Sequence, residues 1–557
     1  MSGVGSTEPP RSVGGGLAGA GAGIRAALRR PLVREAVISA VVAGLLAGLL
    51  LWLGPPGVDL AAHSYQRTFL LRHGFALWNN FWYAGRYSFV TYSFIYYPLA
   101  AVLGIKLLAV VSMAVAAVGF TLVVWREWGP AARFSSRAFA VLWTGLVLSA
   151  AFPFALGAAF ALLSVLALQH GRRRWSFPIL LFLTLLASPL AFLLIVLVLA
   201  GAAAERRPRR ATVVVIGVGI LFELTVRRLF PGQGEFPFSV ADLIPATLFC
   251  GFGIAVTARV PGARRLLGLF AVFLVATMAA FVIPGDLGSN VERLKFAAIP
   301  LALLAATVAP RRILFAVPLV AVACFWNISA LAHTAEAASA DPAHHAAYWQ
   351  PAIHYLKQHL SPSYRVEAVD TIEHWPAAYL PDAGIPIVRG WYRQNDFPQN
   401  EVLYDPNLAG TAYRTWLRGL GVRYVVLSDA PPDYSSRAEA ALIRSGKSGL
   451  VRVFHKAHVT VYVLPDAKPI VIGNGDANVL WMWPTRMVFS VSKPGRYQIK
   501  VRWSPYWHTS QGCVWQAADG TVRLQARYAG LVDLGVDVNV SRGLQTLTGL
   551  SPRRACG

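Results

Sequence analysis

An aspartate and a histidine four residues apart are the first side chains in this chain that could do chemistry. Asp59 and His63 follow the Pro55-Pro56-Gly57 turn that ends the first long apolar run. Ionisable groups at a membrane boundary are costly and usually functional, so Asp59 could act as a general base on an acceptor hydroxyl. The same position also suits an aspartate that caps the start of a helix. On spacing alone, the capping interpretation is favoured.

The residues around Asp59 predict a helix over 58–73 that lies along the outer membrane surface. At helical spacing, polar side chains share one face of this helix and apolar side chains share the other. The polar face carries Asp59, His63, Gln66 and His73, and the apolar face carries Val58, Ala62, Tyr65 and Phe69. We expect the polar face to turn toward the protein.

A second polar cluster stands before a later apolar run. It combines acidic, amide and guanidinium groups within eight residues, namely Asp286, Asn290, Glu292 and Arg293. An arginine at this depth can hold a phosphate through two hydrogen bonds and stabilise it as a leaving group. The alternative is an interfacial arginine whose side chain reaches out to water.

Composition and charge indicate a membrane protein rather than a nucleic-acid-binding protein. Of 557 residues, 55% are hydrophobic and 14% are charged, whereas soluble proteins carry roughly a quarter charged residues. Apolar runs recur from residue 36 to 331, which predicts a mainly α polytopic domain over 29–335 with about 10–11 membrane segments. The net charge of +24 lies in short basic clusters between these runs, as in cytoplasmic loops, and no nucleic-acid-binding motif accompanies it.

The basic clusters also predict how the chain crosses the inner (plasma) membrane. They place the N-terminus inside, with a disordered cytoplasmic tail over residues 1–28, and everything after the last apolar run outside. The stretch 177–204 is basic on both flanks, and Ser188-Pro189 interrupts its middle. It is too short for two full spans, so we expect a pair of short, broken helices that enter the membrane and return.

The polar C-terminal part predicts two further domains outside the cytoplasm. A helix and strands near 365–369, 422–427 and 459–464 indicate a small α/β domain over residues 340–466. Short alternating strands with Pro-Gly and Asp-Gly turns indicate a C-terminal β-sandwich over 470–557. Cys513 and Cys556 lie in this last part, and an oxidising compartment would allow them to form a disulfide.

Some aromatic and charged side chains of the C-terminal part are candidates for weak glycan contacts. They are Trp391, Arg393, Trp503 and Trp507. Core packing or a domain interface is the alternative for all four and is favoured. The sequence has no phosphate-binding glycine loop, nucleophile motif or zinc-ligand spacing, which argues against ATP-driven transport and soluble-type hydrolysis.

The order of these features resembles the polytopic glycosyltransferases of the C fold type, which use polyprenyl-phosphate sugars. The resemblance covers roughly residues 30–335 and, more weakly, an extracytoplasmic C-terminal region. It is carried by Asp59-x-x-x-His63, by Tyr96-Tyr97-Pro98-Leu99 at the second span, by the Ser188-Pro189 break and by Asn290-x-x-Arg293. The last two features are similar to bacterial, actinobacterial-like members.

The resemblance implies roles for individual residues. Asp59 corresponds to the catalytic acid of the first external loop. The implied substrate-binding residues are His63, Arg86 and Tyr97 in the sugar and acceptor cleft, with Asn290, Glu292 and Arg293 near the lipid phosphate. Many members have paired acids in this loop, whereas Asp59 has no acidic neighbour. We therefore expect metal-independent chemistry.

The resulting expectation is a membrane enzyme without a cofactor. It would be an inverting hexosyl- or pentosyltransferase that moves a sugar from a polyprenyl-phosphate donor to an extracytoplasmic cell-envelope glycan or lipid. The alternative is a non-enzymatic lipid or polysaccharide transporter, or a cell-envelope assembly scaffold with a glycan-binding tail. A transporter should show inverted repeats and charges in the middle of the membrane. The sequence shows no such repeat, and its charges cluster at the outer boundary.

Overall fold

The computed structural model describes residues 30–90, 92–171, 175–203, 209–232 and 234–549. A helical N-terminal part is followed by a small α/β domain and a β-sandwich, which confirms the predicted fold class. The predicted cytoplasmic tail over 1–28 and Cys556 lie outside the described residues.

Helices occupy the apolar runs of the N-terminal part. In chain order they are α1 (Pro31–Leu53), the juxtamembrane α2 (Leu60–His73), α3 (Tyr96–Leu103), α4 (Ile105–Trp128), α5 (Arg133–Leu142), α6 (Leu146–Ser149), α7 (Phe152–His170), α8 (Ser176–Ala187), α9 (Pro189–Ala203), α10 (Arg210–Leu229), α11 (Val240–Thr257), α12 (Arg264–Val282), α13 (Ala298–Val308) and α14 (Ile313–Ala340). Within the described residues, six helical stretches are long and apolar enough to cross a membrane, and α8 and α9 are shorter apolar helices. The last helix continues past the predicted domain boundary at residue 335.

The first helix shows how these segments meet lipid and protein. Its small side chains, Ala43 and Ala47, are fully buried on the face that packs against α4. Its large apolar side chains, including Val41 and Leu45, are exposed on the other face. Small residues at a helix contact and apolar residues facing outward are typical of helices in lipid.

The predicted break in the middle of 177–204 is present. Ser188 separates α8 from α9, and Pro189 begins the second helix because its missing N–H is not needed there. The two helices pack against each other and against α7. At the break, the carbonyl of Leu186 accepts hydrogen bonds from the backbone N–H groups of Phe94 and Ile95 at 2.9 and 3.4 Å. The break therefore reaches the loop that precedes α3.

The α/β domain is built on a four-stranded sheet. Its elements are α15 (Ala346–His359), β3 (Arg365–Ala368), α16 (Pro376–Asp382), α17 (Gly410–Leu420), β4 (Val422–Ser428), α18 (Arg437–Arg444), β5 (Val451–Lys456) and β6 (Val459–Val463). The strand order is β3-β4-β6-β5, with β3 and β4 parallel and the remaining pairs antiparallel. Three of these strands were predicted, and the edge strand β5 was missed because its side chains are exposed on both faces.

The C-terminal domain packs two four-stranded sheets face to face. Its strands are β7 (Val471–Gly473), β8 (Ala477–Trp483), β9 (Arg486–Val491), β10 (Gly495–Arg502), β11 (Trp507–Thr509), β12 (Cys513–Gln516), β13 (Thr521–Ala526) and β14 (Gly530–Val536), followed by α19 (Val540–Thr548). The sheet orders are β12-β13-β10-β7 and β11-β14-β9-β8. Alternate side chains such as Phe489, Ile499 and Leu524 are fully buried between the sheets, as the period of a strand requires.

Both C-terminal domains share their cores with the helical part. The loop between α2 and α3 forms a short hairpin of β1 (Trp78–Asn79) and β2 (Arg86–Tyr87). Trp78 and Tyr87 of this hairpin belong to the same apolar core as the sandwich. Helix α16 of the α/β domain packs against α2. The external loop is thus held between two domains that follow it by about 300 residues or more.

Candidate active site beneath the α/β domain

The backbone around Asp59 is held by a neighbouring turn. The N–H groups of Val58 and Asp59 donate to the carbonyls of Leu148 and Ser149, each at 3.1 Å. The Asp59 carbonyl then accepts the first helical hydrogen bond from His63 at 3.3 Å. In the described part of the chain, the carboxyl group of Asp59 makes no capping hydrogen bond. The capping interpretation is therefore wrong for this side chain, and its carboxyl group is left for another role.

The electrostatic surroundings of Asp59 suit a base. Burial raises the pKa of Asp59 from 3.8 to about 6, and the positive charges of Arg293 and His374 limit that rise. A carboxyl group with such a pKa is largely ionised near neutral pH, yet it binds a proton more tightly than an exposed aspartate does. Perturbed values of this kind are common in active sites.

Helix α2 is buried on more than its polar face. His63 and Gln66 point into the protein as predicted, but Tyr65 and Phe69 of the apolar face are buried as well. The ring of Tyr65 lies 4.6 Å from that of Trp82. The apolar face is covered by the loop between α2 and α3 and by α16, whereas His73 of the predicted polar face is exposed.

His63 lies in an aromatic pocket next to Asp59. Its Nδ1 is 3.2 Å from the Tyr97 hydroxyl, and the rings of Tyr92, Tyr96 and Phe152 lie within 6 Å of its own. Burial lowers the pKa of His63 to about 3, so the ring is neutral. Its Nε2 is buried without a hydrogen-bond partner among residues that the structure describes. The structure thus brings His63 and Tyr97 together beside Asp59.

Arg86 lies on the other side of the same pocket. Its guanidinium group sits 4.2 Å from the centre of the Tyr392 ring, and its Nε donates to the Tyr87 carbonyl at 3.0 Å. Its Nη1 is buried and has no partner within the described ranges. Two residues just before it, Tyr83 and Ala84, have positive φ angles of 57° and 55°. Non-glycine residues in this region carry a conformational cost and concentrate at functional sites.

Arg293 connects the pocket to a cavity between the membrane helices. It lies in the 3₁₀ segment Gly288–Ala297, with its guanidinium group 5.3 Å from the centre of the Phe154 ring. Both residues line a cavity of about 780 Å³ whose wall is mostly apolar and includes α7, α9 and α13. The opposite ends of the lining helices contribute Arg126 and Arg265. The charge of Arg293 also acts on Asp59, which links the carboxyl group electrostatically to a residue of the cavity wall.

The other two residues of the second polar cluster differ from the prediction. The Asn290 side-chain oxygen is 3.5 Å from Nη2 of Arg293, which makes Asn290 a weak support for the guanidinium group. Glu292 is turned away from Asp59: its charged neighbours are Lys295, at 4.0 Å, and Asp242. Burial raises the pKa of Glu292 to about 8. Within the described residues, Glu292 makes no hydrogen bond or ion pair with the groups around Asp59, and its 3₁₀ segment packs against α11 and α12.

The α/β domain forms the roof of the pocket. The Tyr83 hydroxyl donates to the Tyr392 carbonyl at 2.6 Å, and the Trp82 indole donates to the carbonyl of Ala377 at 2.8 Å. A Cβ atom on Gly390 would meet the Tyr83 ring at 2.5 Å, so only glycine permits this close approach. The ring of Tyr392 reaches that of Tyr92 at 5.4 Å.

A buried ionic cluster fixes the roof segment. Arg389 donates to Asp396 at 2.8 Å, and Arg393 donates to Asp370 at 2.5 Å. The same network corrects one predicted glycan contact. Arg393 is only 8% exposed and is held by acidic side chains of its own domain, so it does not face a glycan. Its role in the structure is to anchor the segment that carries Tyr392.

The predicted aromatic glycan contacts have different surroundings. Trp507 is 4% exposed and packs edge to face against Trp78 at 5.5 Å, which contradicts a glycan-facing position. Trp503 is half-buried and packs against the sandwich core. Trp391 is half-buried in the roof segment, next to Tyr392. The two sandwich tryptophans are therefore packing residues, and Trp391 alone lies near Asp59.

Sequence reasoning missed two residues of this site. Tyr392 belongs to a segment that was noted for mixed aromatic and charged residues, but no local signal separates it from Trp391. His374 stands alone between Glu373 and Trp375, a pattern without a spacing rule.

For the remaining predictions, Cys513 begins β12 while its predicted partner Cys556 lies outside the described residues. In the described ranges, no group of three or more His, Cys, Asp or Glu side chains is placed to hold a metal ion.

Comparisons with known proteins give structural similarity but no match in sequence. No family model and no curated protein matches the sequence. The fold is similar to the cryo-EM structure of the arabinofuranosyltransferase AftD from Mycobacteria, with 16% identity and a TM-score of 0.47. The similarity covers 85% of this chain and 42% of that chain. The present chain thus spans less than half of that protein, and its function is argued from the pocket.

Proposed function

We propose that this chain is a multi-pass membrane glycosyltransferase. It moves a hexose or pentose from a polyprenyl-phosphate donor to a cell-envelope glycan or lipid acceptor outside the cytoplasm. The observation that carries this proposal is that Arg293, which lines a large apolar cavity, acts electrostatically on the carboxyl group of Asp59. A base, a phosphate-binding cation and a lipid-sized space are the three parts that such a transfer needs.

The cavity suits the lipid part of the donor. Its volume of about 780 Å³ and its apolar wall fit a long hydrocarbon chain. Arg293 has no carboxylate within ion-pair distance in the described part of the chain, so its guanidinium group is free to pair with a phosphate. Arginine forms two parallel hydrogen bonds to phosphate oxygens, which would hold the lipid phosphate at the pocket end of the cavity.

The proposed reaction is a single displacement at the anomeric carbon. Asp59 takes the proton of the acceptor hydroxyl while that oxygen forms the new bond to the anomeric carbon. The bond between this carbon and the phosphate oxygen breaks, and polyprenyl phosphate leaves with the electron pair. Arg293 stabilises the charge that develops on the phosphate. One displacement inverts the anomeric configuration and needs neither a metal ion nor a cofactor, because the donor is already activated.

The pocket is proposed to face the outside of the cytoplasmic membrane. The basic clusters at the opposite ends of the helices favour that orientation, since positive residues accumulate in cytoplasmic loops. It would place the α/β domain, the sandwich and Asp59 on the same side as the cell-envelope acceptor. A reporter fused after the last residue should be active outside the cytoplasm. Activity only inside would contradict this orientation.

Sugar transfer by the purified protein in lipid nanodiscs is the direct test. Wild type would be given a panel of polyprenyl-phosphate-linked pentoses and hexoses with cell-envelope glycan fragments as acceptors, and products would be identified by mass spectrometry. We expect transfer from at least one donor with inversion at the anomeric carbon. A protein that binds polyprenyl phosphate but moves no sugar from any donor, to acceptor or to water, would contradict the proposal and favour a transporter or scaffold.

A further inference from the structure

His374 reaches the site from the α/β domain. It lies in the turn directly before α16, the helix that packs against α2. The side chain is only 7% exposed, and its charge acts on Asp59. Neither the proposed base nor the phosphate-binding arginine needs this residue, so its position so close to the carboxyl group calls for a role of its own.

The contacts of the His374 ring set which nitrogen is free. Its Nδ1 lies 2.7 Å from Asp370, whose carboxylate is also held by Arg393 at 2.5 Å. A carboxylate oxygen accepts hydrogen bonds, so Nδ1 of the histidine is the donor in this pair. The other ring nitrogen, Nε2, is then left to form a hydrogen bond with a hydroxyl group. Among the described residues, none forms a hydrogen bond with Nε2.

A second free polar atom lies next to it. The ring of Trp391 stands edge to face against that of His374 at 5.8 Å. The indole Nε1 of Trp391 is buried, and none of the described residues accepts its hydrogen. An unpaired buried donor is costly unless a ligand completes it. A free imidazole nitrogen and a free indole N–H thus belong to two neighbouring rings.

The backbone at His374 is strained as well. Its φ angle is +61°, a left-handed conformation that side chains other than glycine seldom adopt. The buried hydrogen bond to Asp370 and the packing of α16 hold the residue in this conformation. Strained backbone conformations of this kind are found where a side chain must be held in one orientation. The orientation of the His374 side chain is set by the turn that connects β3 to α16.

We infer that His374 and Trp391 bind the acceptor sugar next to its attacking hydroxyl. One hydroxyl of the acceptor forms a hydrogen bond with Nε2 of His374, and a neighbouring hydroxyl accepts from Nε1 of Trp391. Two vicinal hydroxyls of a sugar ring can serve both nitrogens, because each hydroxyl can donate or accept. Arg293 and the cavity take the donor side of Asp59, and His374 does not line that cavity. The α/β domain therefore supplies the acceptor subsite, an inference that rests on the proposed transferase function.

Two variants test this subsite in the full-length protein. His374→Ala removes the Nε2 atom, and Trp391→Phe keeps a ring while removing the N–H. Loss of one substrate hydrogen bond is expected to raise the KM for the acceptor by roughly 3- to 10-fold in each case. In Trp391→Phe, the release of sugar to water without added acceptor should stay within about twofold of wild type, because donor binding and Asp59 are intact. His354→Ala, at an exposed histidine of α15, is the matched control and should change neither value.

Each result of these measurements decides the inference. An unchanged KM for the acceptor in both variants would overturn the inference. A release of sugar to water that falls as much as sugar transfer does in Trp391→Phe would also overturn it. If wild type neither transfers nor releases sugar from any donor, the proposed function fails by itself. The subsite is then judged by saturation-transfer NMR with methyl glycosides of pentoses and hexoses. Signal in wild type that is lost in His374→Ala supports the subsite, and absent or equal signal overturns it.

Discussion

Replacing Asp59 by asparagine separates proton transfer from the other roles of this side chain. The amide has nearly the same size as the carboxyl group but cannot serve as a base. Because the described structure contains no capping hydrogen bond from this side chain, a lost helix cap cannot explain any effect. We expect sugar transfer to slow by roughly 10²- to 10⁴-fold, which corresponds to about 3–5 kcal/mol in the activation barrier.

The same substitution, which lowers activity, should raise the stability of the folded protein at neutral pH. Burial raises the pKa of Asp59 from 3.8 to about 6, so the folded protein binds this proton more tightly than the unfolded chain does. The resulting stabilisation is complete below pH 4 and is lost as the pH rises to about 6 and beyond. At pH 7 the partly buried carboxylate is therefore destabilising. Asp59→Asn removes this cost, so the variant should be more stable than wild type at pH 7 and similar at pH 4.

Activity and unfolding would be measured on matched nanodisc samples between pH 4 and pH 8. Wild-type kcat/KM should fall as the pH drops below about 6, because the base becomes protonated. The residual activity of the variant should lack this acidic limb. Wild-type rates in Asp59→Asn would refute the assignment of the base. A loss of activity together with a lower unfolding temperature at pH 7 would show that the side chain is structural.

Three further predictions concern the phosphate site, the roof and the sandwich. Arg293→Gln should lower the rate of transfer by roughly 10²- to 10³-fold with normal membrane insertion, and wild-type rates with this variant would exclude a phosphate role. Gly390→Ala places a Cβ 2.5 Å from the Tyr83 ring and should reduce kcat/KM by displacing the roof, whereas Gly419→Ala, with no atom within 4 Å of its Cβ, should leave it unchanged. Equal activity of the two glycine variants would contradict the proposed docking. Unreduced peptides should show Cys513 joined to Cys556 by mass spectrometry, and two free thiols would remove the predicted disulfide.

Local patterns in the sequence were sufficient for the order of domains and for most helices and strands. The length of an apolar run and the residues that interrupt it act within a few turns of chain, so the break at Ser188 could be predicted. Alternation of apolar and polar residues was likewise sufficient to predict the strands β6 and β10. This pattern did not predict the strand β5, because its side chains are exposed on both faces. Such a strand exists only because β6 is there to pair with it.

The sequence by itself identified Asp59 and Arg293 as candidates, since charged groups are rare at the ends of membrane segments. Only the tertiary structure decided which groups surround them. His374 reaches Asp59 from more than 300 residues away, and Glu292 turns from the pocket although it neighbours Arg293 in the chain. Trp507 shows the same limit, because its burial depends on Trp78 in a distant loop. Contacts of this kind arise from packing between domains, and residue type and local spacing carry no information about which distant surfaces will meet.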